Sequence, residues 1–192
     1  SNQEFYNNQL IAHTSVKNAV LSLDTTKPIL NAPLDFIDTA GCGYTEITNP
    51  ETLSTANPEE AQLLIKHLKL LLNEVEQTTR AEKKITIGII SPYKEQIQYI
   101  TTLVNEDEYL KNKQTQIAIK TIDGFQGQER DVMYISLVRS NNNQEIGFLA
   151  DTRRMNVALT RAKKELIVIG DSATLANNAF YDKFFDYTET IN

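Results

Sequence analysis

Residues 151–165 read DTRRMNVALTRAKKE and gather Arg153, Arg154, Arg161, Lys163 and Lys164 into one short stretch of a chain whose formal net charge is -6. The guanidinium group suits phosphate, because its planar fork donates parallel hydrogen bonds and stays charged at physiological pH. Arg154 and Arg161 are close to two helical turns apart, so on a continuous helix from about 151 to 164 they project from nearly one azimuth. Met155, Ala158, Leu159 and Ala162 form an apolar stripe on another face. Such a helix buries one side and aims paired cations from another; taken alone, its default reading is a solvated basic face.

A second polar stretch precedes it. Residues 121–131, TIDGFQGQERD, follow a predicted strand, and in an open α/β sheet ligands bind beyond such strand ends. Gly124 and Gly127 permit close backbone approach or unusual dihedrals, while Thr121, Gln126 and Glu129 offer polar groups. No glycine is followed by lysine, so the sequence contains no Walker A loop to cradle nucleotide phosphates. There is no GxGxxG after a strand, which removes the main support for a dinucleotide fold. Glu106-Asp107-Glu108 lies in a polar stretch after a helix and reads as a solvated face. His13 and His67 lack carboxylate or cysteine companions at ligand spacing, so no metal site is expected.

These segments need elements to position them. Residues 33–39, 85–90, 117–122, 132–138 and 166–169 read as strands, and their β-branched runs suit strands covered on both faces. Between them lie amphipathic helices. One begins at Asn57-Pro58-Glu59-Glu60, where a capping residue, a first-turn proline and a glutamate three residues after the cap make a capping box. Another begins after Ser91-Pro92 and carries Ile97, Ile100 and Val104. Alternation of this kind predicts an α/β fold of three layers, a mostly parallel sheet between helices. The aromatics Phe180, Tyr181, Phe184, Phe185 and Tyr187 predict a last helix, within 175–192, packing back on the domain.

The 192 residues suit a single domain, 1–192. No apolar stretch approaches the roughly 18 residues of a membrane span, and the N-terminus lacks the features of a signal peptide, so an intracellular, cytoplasmic protein without membrane contact is expected. Cys42 is the single cysteine and excludes an internal disulfide. The acidic balance argues against coating nucleic acid over a broad face, and any phosphate contact must be local.

Together the motifs resemble superfamily 1 helicases, specifically the 1B group of the nonsense-mediated-decay RNA helicase and its nuclease-helicase relatives. TIDGFQGQERD with its continuation VMYISLVRSN is similar to their motif V, and GFLADTRRMNVALTRAKKELIVIGD to their motif VI and the strand after it. SPYKEQ resembles an SPY-or-TPY-x-x-Q element of the same domain, and FYNNQL, within 1–10, resembles the stretch that follows motif IV.

The resemblance implies the second, C-terminal RecA-like domain of a helicase motor, with motifs I to III expected upstream in an N-terminal RecA-like partner domain. It implies Arg161 as the arginine finger, Arg154 as its supporting contact, Gln126 and Gly127 on the nucleotide side of motif V, and Glu129 at the nucleotide ribose. It implies ATP with Mg2+ in the full-length protein, no cofactor held stably by this domain alone, and no ATP hydrolysis by the isolated domain. Single-stranded DNA or RNA is the expected substrate, with Thr121 the first strand contact, then Ser91, Tyr93 and Gln96, and Arg139 a further candidate. A rival reading is a non-enzymatic interaction module derived from a helicase, its basic helix docking an acidic partner.

Overall fold

The computed structural model describes residues 5–7, 9, 21, 32–78 and 84–191. The sequence of elements is β1 (Leu34–Asp38), a short hairpin of β2 (Ile47–Thr48) and β3 (Thr55–Ala56), α1 (Pro58–Thr78), β4 (Ile87–Ser91), α2 (Lys94–Glu106), α3 (Glu108–Lys111), β5 (Ile117–Thr121), β6 (Arg130–Ser136), α4 (Thr152–Leu159), β7 (Ala162–Gly170), α5 (Ser172–Leu175) and α6 (Ala179–Ile191). The hairpin lies in what the sequence presents only as a polar connection. The motif IV stretch, 1–10, and His13 lie largely or wholly outside the described residues.

The main sheet has the order β1-β7-β6-β4-β5, and every neighbouring pair is parallel. Period-two alternation sends Ile87 and Ile89 of β4 and Val132 and Tyr134 of β6 to one face, where Leu64, Leu68 and Leu71 of α1 and Ile100 and Val104 of α2 cover them. Ile90, Met133 and Ile135 point to the other face and meet Phe125, Leu149, Met155 and Ala158, with Tyr181 and Phe185 of α6. The three-layer expectation is met.

The connections fix where a crevice opens. From β4 the chain leaves through α2 toward β5, on one face, whereas from β6 it leaves through α4 toward β7, on the other. β4 and β6 are neighbours, so the loops after them diverge at a topological switch point, the place where open α/β sheets bind ligands.

Two local expectations are corrected. The basic helix ends at Leu159 and β7 begins at Ala162, so Arg161 is not on the helix that carries Arg154. Thr160 stops the helix by turning its hydroxyl onto the carbonyls of Asn156 and Val157, both at 3.0 Å, where it competes with the backbone ladder. The capping box is half realised. Asn57 Oδ1 accepts from Glu60 N at 3.0 Å, but the N–H of Asn57 donates to Gln96 Oε1 at 2.8 Å instead of to Glu60. The Glu60 side chain turns inward, where the Ser136 hydroxyl donates to it at 2.6 Å.

Candidate functional site

The loop 122–129 is shaped by its own backbone. Phe125 N donates to Ile122 O at 3.2 Å, Gln126 N to Asp123 O at 3.3 Å and Gln128 N to Phe125 O at 3.0 Å, and Gly127 takes φ +75 to close the last turn. The hydroxyl of Thr121 accepts from Gly124 N at 3.4 Å. Phe125 anchors the loop, fully buried beside Gly88. A Cβ at Gly88 would collide with Met133 Sδ and lie 2.7 Å from Phe125 Cζ, so the glycine leaves the space that this ring fills. Burial of such a ring contributes about 1.5–3 kcal/mol. The Arg130 guanidinium lies over the same ring at 5.4 Å.

Against this loop stands α4. Arg154 Nε lies 3.5 Å from Asp151 Oδ2 and 3.7 Å from Asp123 Oδ1, a link between the two motifs. Both partners are solvent-exposed, so the pair orients the guanidinium and contributes little stability. A cavity of about 220 Å³ opens between loop and helix, lined by Ile122, Asp123, Gln126, Arg153, Arg154 and Val157. Arg161 sits at the foot of the helix. Its Nε donates to Val157 O at 2.9 Å and its Nη2 to Thr160 Oγ1 at 3.0 Å, so the half-buried guanidinium caps the helix end. The Arg161 carbonyl accepts from Arg130 N at 3.2 Å, joining the two segments a second time. The structure therefore brings Arg154 and Gln126 around one cavity, with Gly127 in the adjoining turn, while Arg161 is tied to the carbonyl of Val157 and stands outside the lining. Glu129 is exposed farther along the loop. Lys164 of the basic stretch faces elsewhere, pairing with Asp131 at 3.0 Å. The Nδ2 of Asn156, a residue whose type gives no functional signal in the sequence, donates to the Tyr6 hydroxyl at 3.3 Å, so the N-terminal stretch touches α4.

The residues expected on the strand side lie at the switch point, mostly inside it. Thr121 and Ser91 end β5 and β4 and are register partners. Ser91 and Gln96 have no exposed surface, and Tyr93 is buried. Gln96 Nε2 donates to Asn57 O at 3.2 Å and to Ser136 Oγ at 2.8 Å, so its amide ties α1, α2 and β6 together. Arg139 is buried as well. Its Nε donates to Glu46 Oε2 at 2.9 Å and its guanidinium to the Tyr93 hydroxyl, while burial raises the Tyr93 pKa. Helix-start residues read from sequence as free contacts are thus interior ties, because the loop after β6 folds down over them.

That loop departs from ordinary backbone geometry at Val138. Its φ is +73, and Arg139 N donates to Leu137 O at 2.8 Å, which makes a γ-turn of the rarer, strained kind around a buried β-branched residue. Val138 N donates to the Glu60 carboxylate at 3.0 Å and 3.2 Å, and Asn57 Nδ2 donates to Val138 O at 3.3 Å. Burial pushes Glu60 up to about 7, against the hydrogen bonds from Ser136 and Val138 that favour its charged form. The sequence marks Glu60 only as a capping residue, and nothing in residue type signals the turn at Val138.

A parallel five-stranded sheet, with a glycine loop and an arginine-bearing helix meeting on one face and a crevice at its switch point, defines a RecA-like α/β domain of the nucleotide-driven motor class. The AAA domain family model matches residues 1–173. The chain is 37% identical over 192 residues to the DNA-binding protein SMUBP-2 of Rattus norvegicus, covering 97% of this chain and 18% of that protein. It is 36% identical over 200 residues to an uncharacterized ATP-dependent helicase of Methanocaldococcus jannaschii, covering 99% and 27%. It is 44% identical over 100 residues to a regulator of nonsense transcripts 1 homolog of Neurospora crassa, covering 52% and 9%. The chain belongs to this AAA domain family and is a RecA-like domain of the superfamily 1 helicase type. It spans about a fifth to a quarter of the length of the relatives that it matches from end to end. Among the described residues no helix is long and apolar enough to cross a membrane.

Proposed function

We propose that this chain is the second motor domain of an ATP-dependent helicase or translocase acting on single-stranded DNA or RNA, and that it completes an ATP site whose phosphate-cradling half belongs to an N-terminal RecA-like domain. The observation that carries this reading is the cavity shared by loop 122–129 and α4, with Arg154 bound across it to Asp123 and Arg161 at the C-terminal end of that helix. Cationic and amide donors there fit the phosphates and sugar of a nucleotide. The acidic Asp123 is engaged by Arg154, so ligands for Mg2+ are expected from the partner domain.

Arg161 is the arginine finger: its fork leaves the helix end and stabilises charge on the transferring phosphoryl group. Arg154 is the supporting contact and holds the loop through Asp123. Gln126 and Gly127 face the nucleotide, and Glu129 the ribose. Thr121, exposed in part at the end of β5, meets the strand backbone, while Ser91, Tyr93, Gln96 and Arg139 set the floor beneath it. Without the partner's half the domain alone binds ATP weakly and does not hydrolyse it.

Arg161→Ala in the full-length protein tests this. ATP binding should persist while strand-stimulated turnover falls about a thousandfold or more, as for other arginine fingers. A turnover near that of the wild type would refute the assignment.

A further inference from the structure

We propose that Phe148 is a base-stacking residue of the single-strand track, standing over the crevice between the ends of β4 and β6. The proposal rests on the motor reading above and adds a contact residue to it.

Phe148 is 61% exposed, a large aromatic ring kept in solvent by a short 3-10 turn, Gly147–Ala150. Such a ring is held out against the hydrophobic effect, and here its underside is built with care. The ring packs against the buried ring of Tyr93 at 5.6 Å between centroids, a contact that crosses from the loop after β6 to the loop after β4. Tyr93 in turn donates its hydroxyl to Ile146 O at 3.4 Å, two residues before the phenylalanine. Gly147, at φ +54, lies so close beneath that a Cβ would collide with Arg139 Nη1 and come within 2.8 Å of the Tyr93 hydroxyl. Arg139 is itself fixed by Glu46. On the far side, Leu149 is buried and its carbonyl accepts the Tyr181 hydroxyl at 2.9 Å. The turn is therefore pinned on both sides of one outward-facing ring.

A preorganised, solvent-exposed ring over a switch-point crevice is what an unpaired base needs. Stacking is tolerant of sequence, and a fixed ring has little conformational entropy to lose. Lys94, exposed at the first position of α2 and next to Tyr93 in sequence, places a cation for the backbone beside it. Arg139, by contrast, is buried under the ring and cannot reach a strand without leaving Glu46.

The test uses the full-length protein with fluorescein-labelled oligothymidylate and oligouridylate strands. Phe148→Ala should weaken strand binding about tenfold or more, while Phe148→Trp, which keeps a stacking face, should stay within about twofold. A 2-aminopurine placed in the strand should be quenched on binding the wild type and regain its fluorescence in Phe148→Ala. An unchanged affinity in Phe148→Ala, or an equal loss in the alanine and tryptophan variants, overturns the proposal. So does a shift in KM for ATP without a shift in strand affinity, which would place the ring against the partner domain. A wild-type protein that binds neither strand overturns the motor reading itself, a failure separate from that of the ring. Because the side chain is exposed, melting curves of both variants should match the wild type.

Discussion

The buried carboxylate of Glu60 and the peptide N–H of Val138 face each other at 3.0 Å and 3.2 Å, an acceptor on the first turn of α1 holding the strained residue two positions beyond β6. A non-glycine residue in this part of φ/ψ space costs on the order of 1–3 kcal/mol, and it persists where the surroundings over-determine it. Here they do, through Glu60 on the N–H and Asn57 on the carbonyl. The turn directs Arg139 back beneath the Gly147–Ala150 segment, so strain at one residue places the floor of the crevice.

The first prediction is a reversal of the usual order of substitutions at Val138. In ordinary strand backbone, glycine is less stable than alanine by roughly 0.5–1 kcal/mol. At φ +73 the Cβ carries the penalty, so Val138→Gly should be at least as stable as Val138→Ala, although it removes more buried surface. Urea unfolding of both variants measures this. An alanine variant more stable than the glycine variant by the ordinary margin would mean that the positive φ is not a feature of the protein in solution.

Two buried glutamates and a half-buried histidine give the second prediction. Burial pushes Glu60 up to about 7, and burial with the nearby charge of Asp35 pushes Glu165 up to about 8, both from an ordinary 4.5. Each binds a proton more tightly folded than unfolded, so its contribution is full below the ordinary value and is lost as pH rises through the folded one. His67, whose Nδ1 pairs with the Tyr134 hydroxyl at 2.8 Å, is pushed down by burial to about 4. Its contribution is present above its ordinary value and is lost as pH falls through 4. Between about pH 4.5 and 6.5 two glutamates lose their contribution while one histidine gains its own, so stability should peak near about pH 4–4.5 and decline on the alkaline side, by about 4 °C or more in melting temperature by pH 8. Glu60→Gln and Glu165→Gln should each flatten the alkaline limb, and a melting temperature that climbs steadily to pH 8 would contradict the scheme.

Much of this architecture is legible in the residues alone. Apolar β-branched runs announce the strands, and residue types in loop 122–129 and in α4 single out the two segments that meet around one cavity. What they do not announce is direction. A helical period continues on paper from Asp151 to Lys164, but the Thr160 hydroxyl competes for the ladder and ends the helix before Arg161. Glu60 has the spacing of a cap, yet a buried strained turn across the sheet is the stronger claimant for its carboxylate. SPYKEQ looks like a free helix start because its cover, the loop 137–150, comes some forty residues later. The first difference is a local side-chain bond, and the other two are tertiary contacts overriding a local signal.

Arg161 carries the third prediction, since its observed role as a helix cap and its proposed role as a finger make different demands on the side chain. As a cap it supplies hydrogen bonds at 2.9 Å and 3.0 Å to Val157 O and Thr160 Oγ1 at the end of a helix of two turns. A lysine keeps the charge near that helix end but not the fork, so Arg161→Lys should lower stability by only about 1 kcal/mol. As a finger the residue must bridge oxygens on a phosphoryl group in flight, and a single ammonium cannot reproduce two fixed donors. Turnover of the full-length Arg161→Lys protein should then fall by about two orders of magnitude or more while ATP affinity changes little. Stability and kcat measured on the same preparation separate the roles: a loss of stability with kcat preserved would leave Arg161 a helix cap and nothing more.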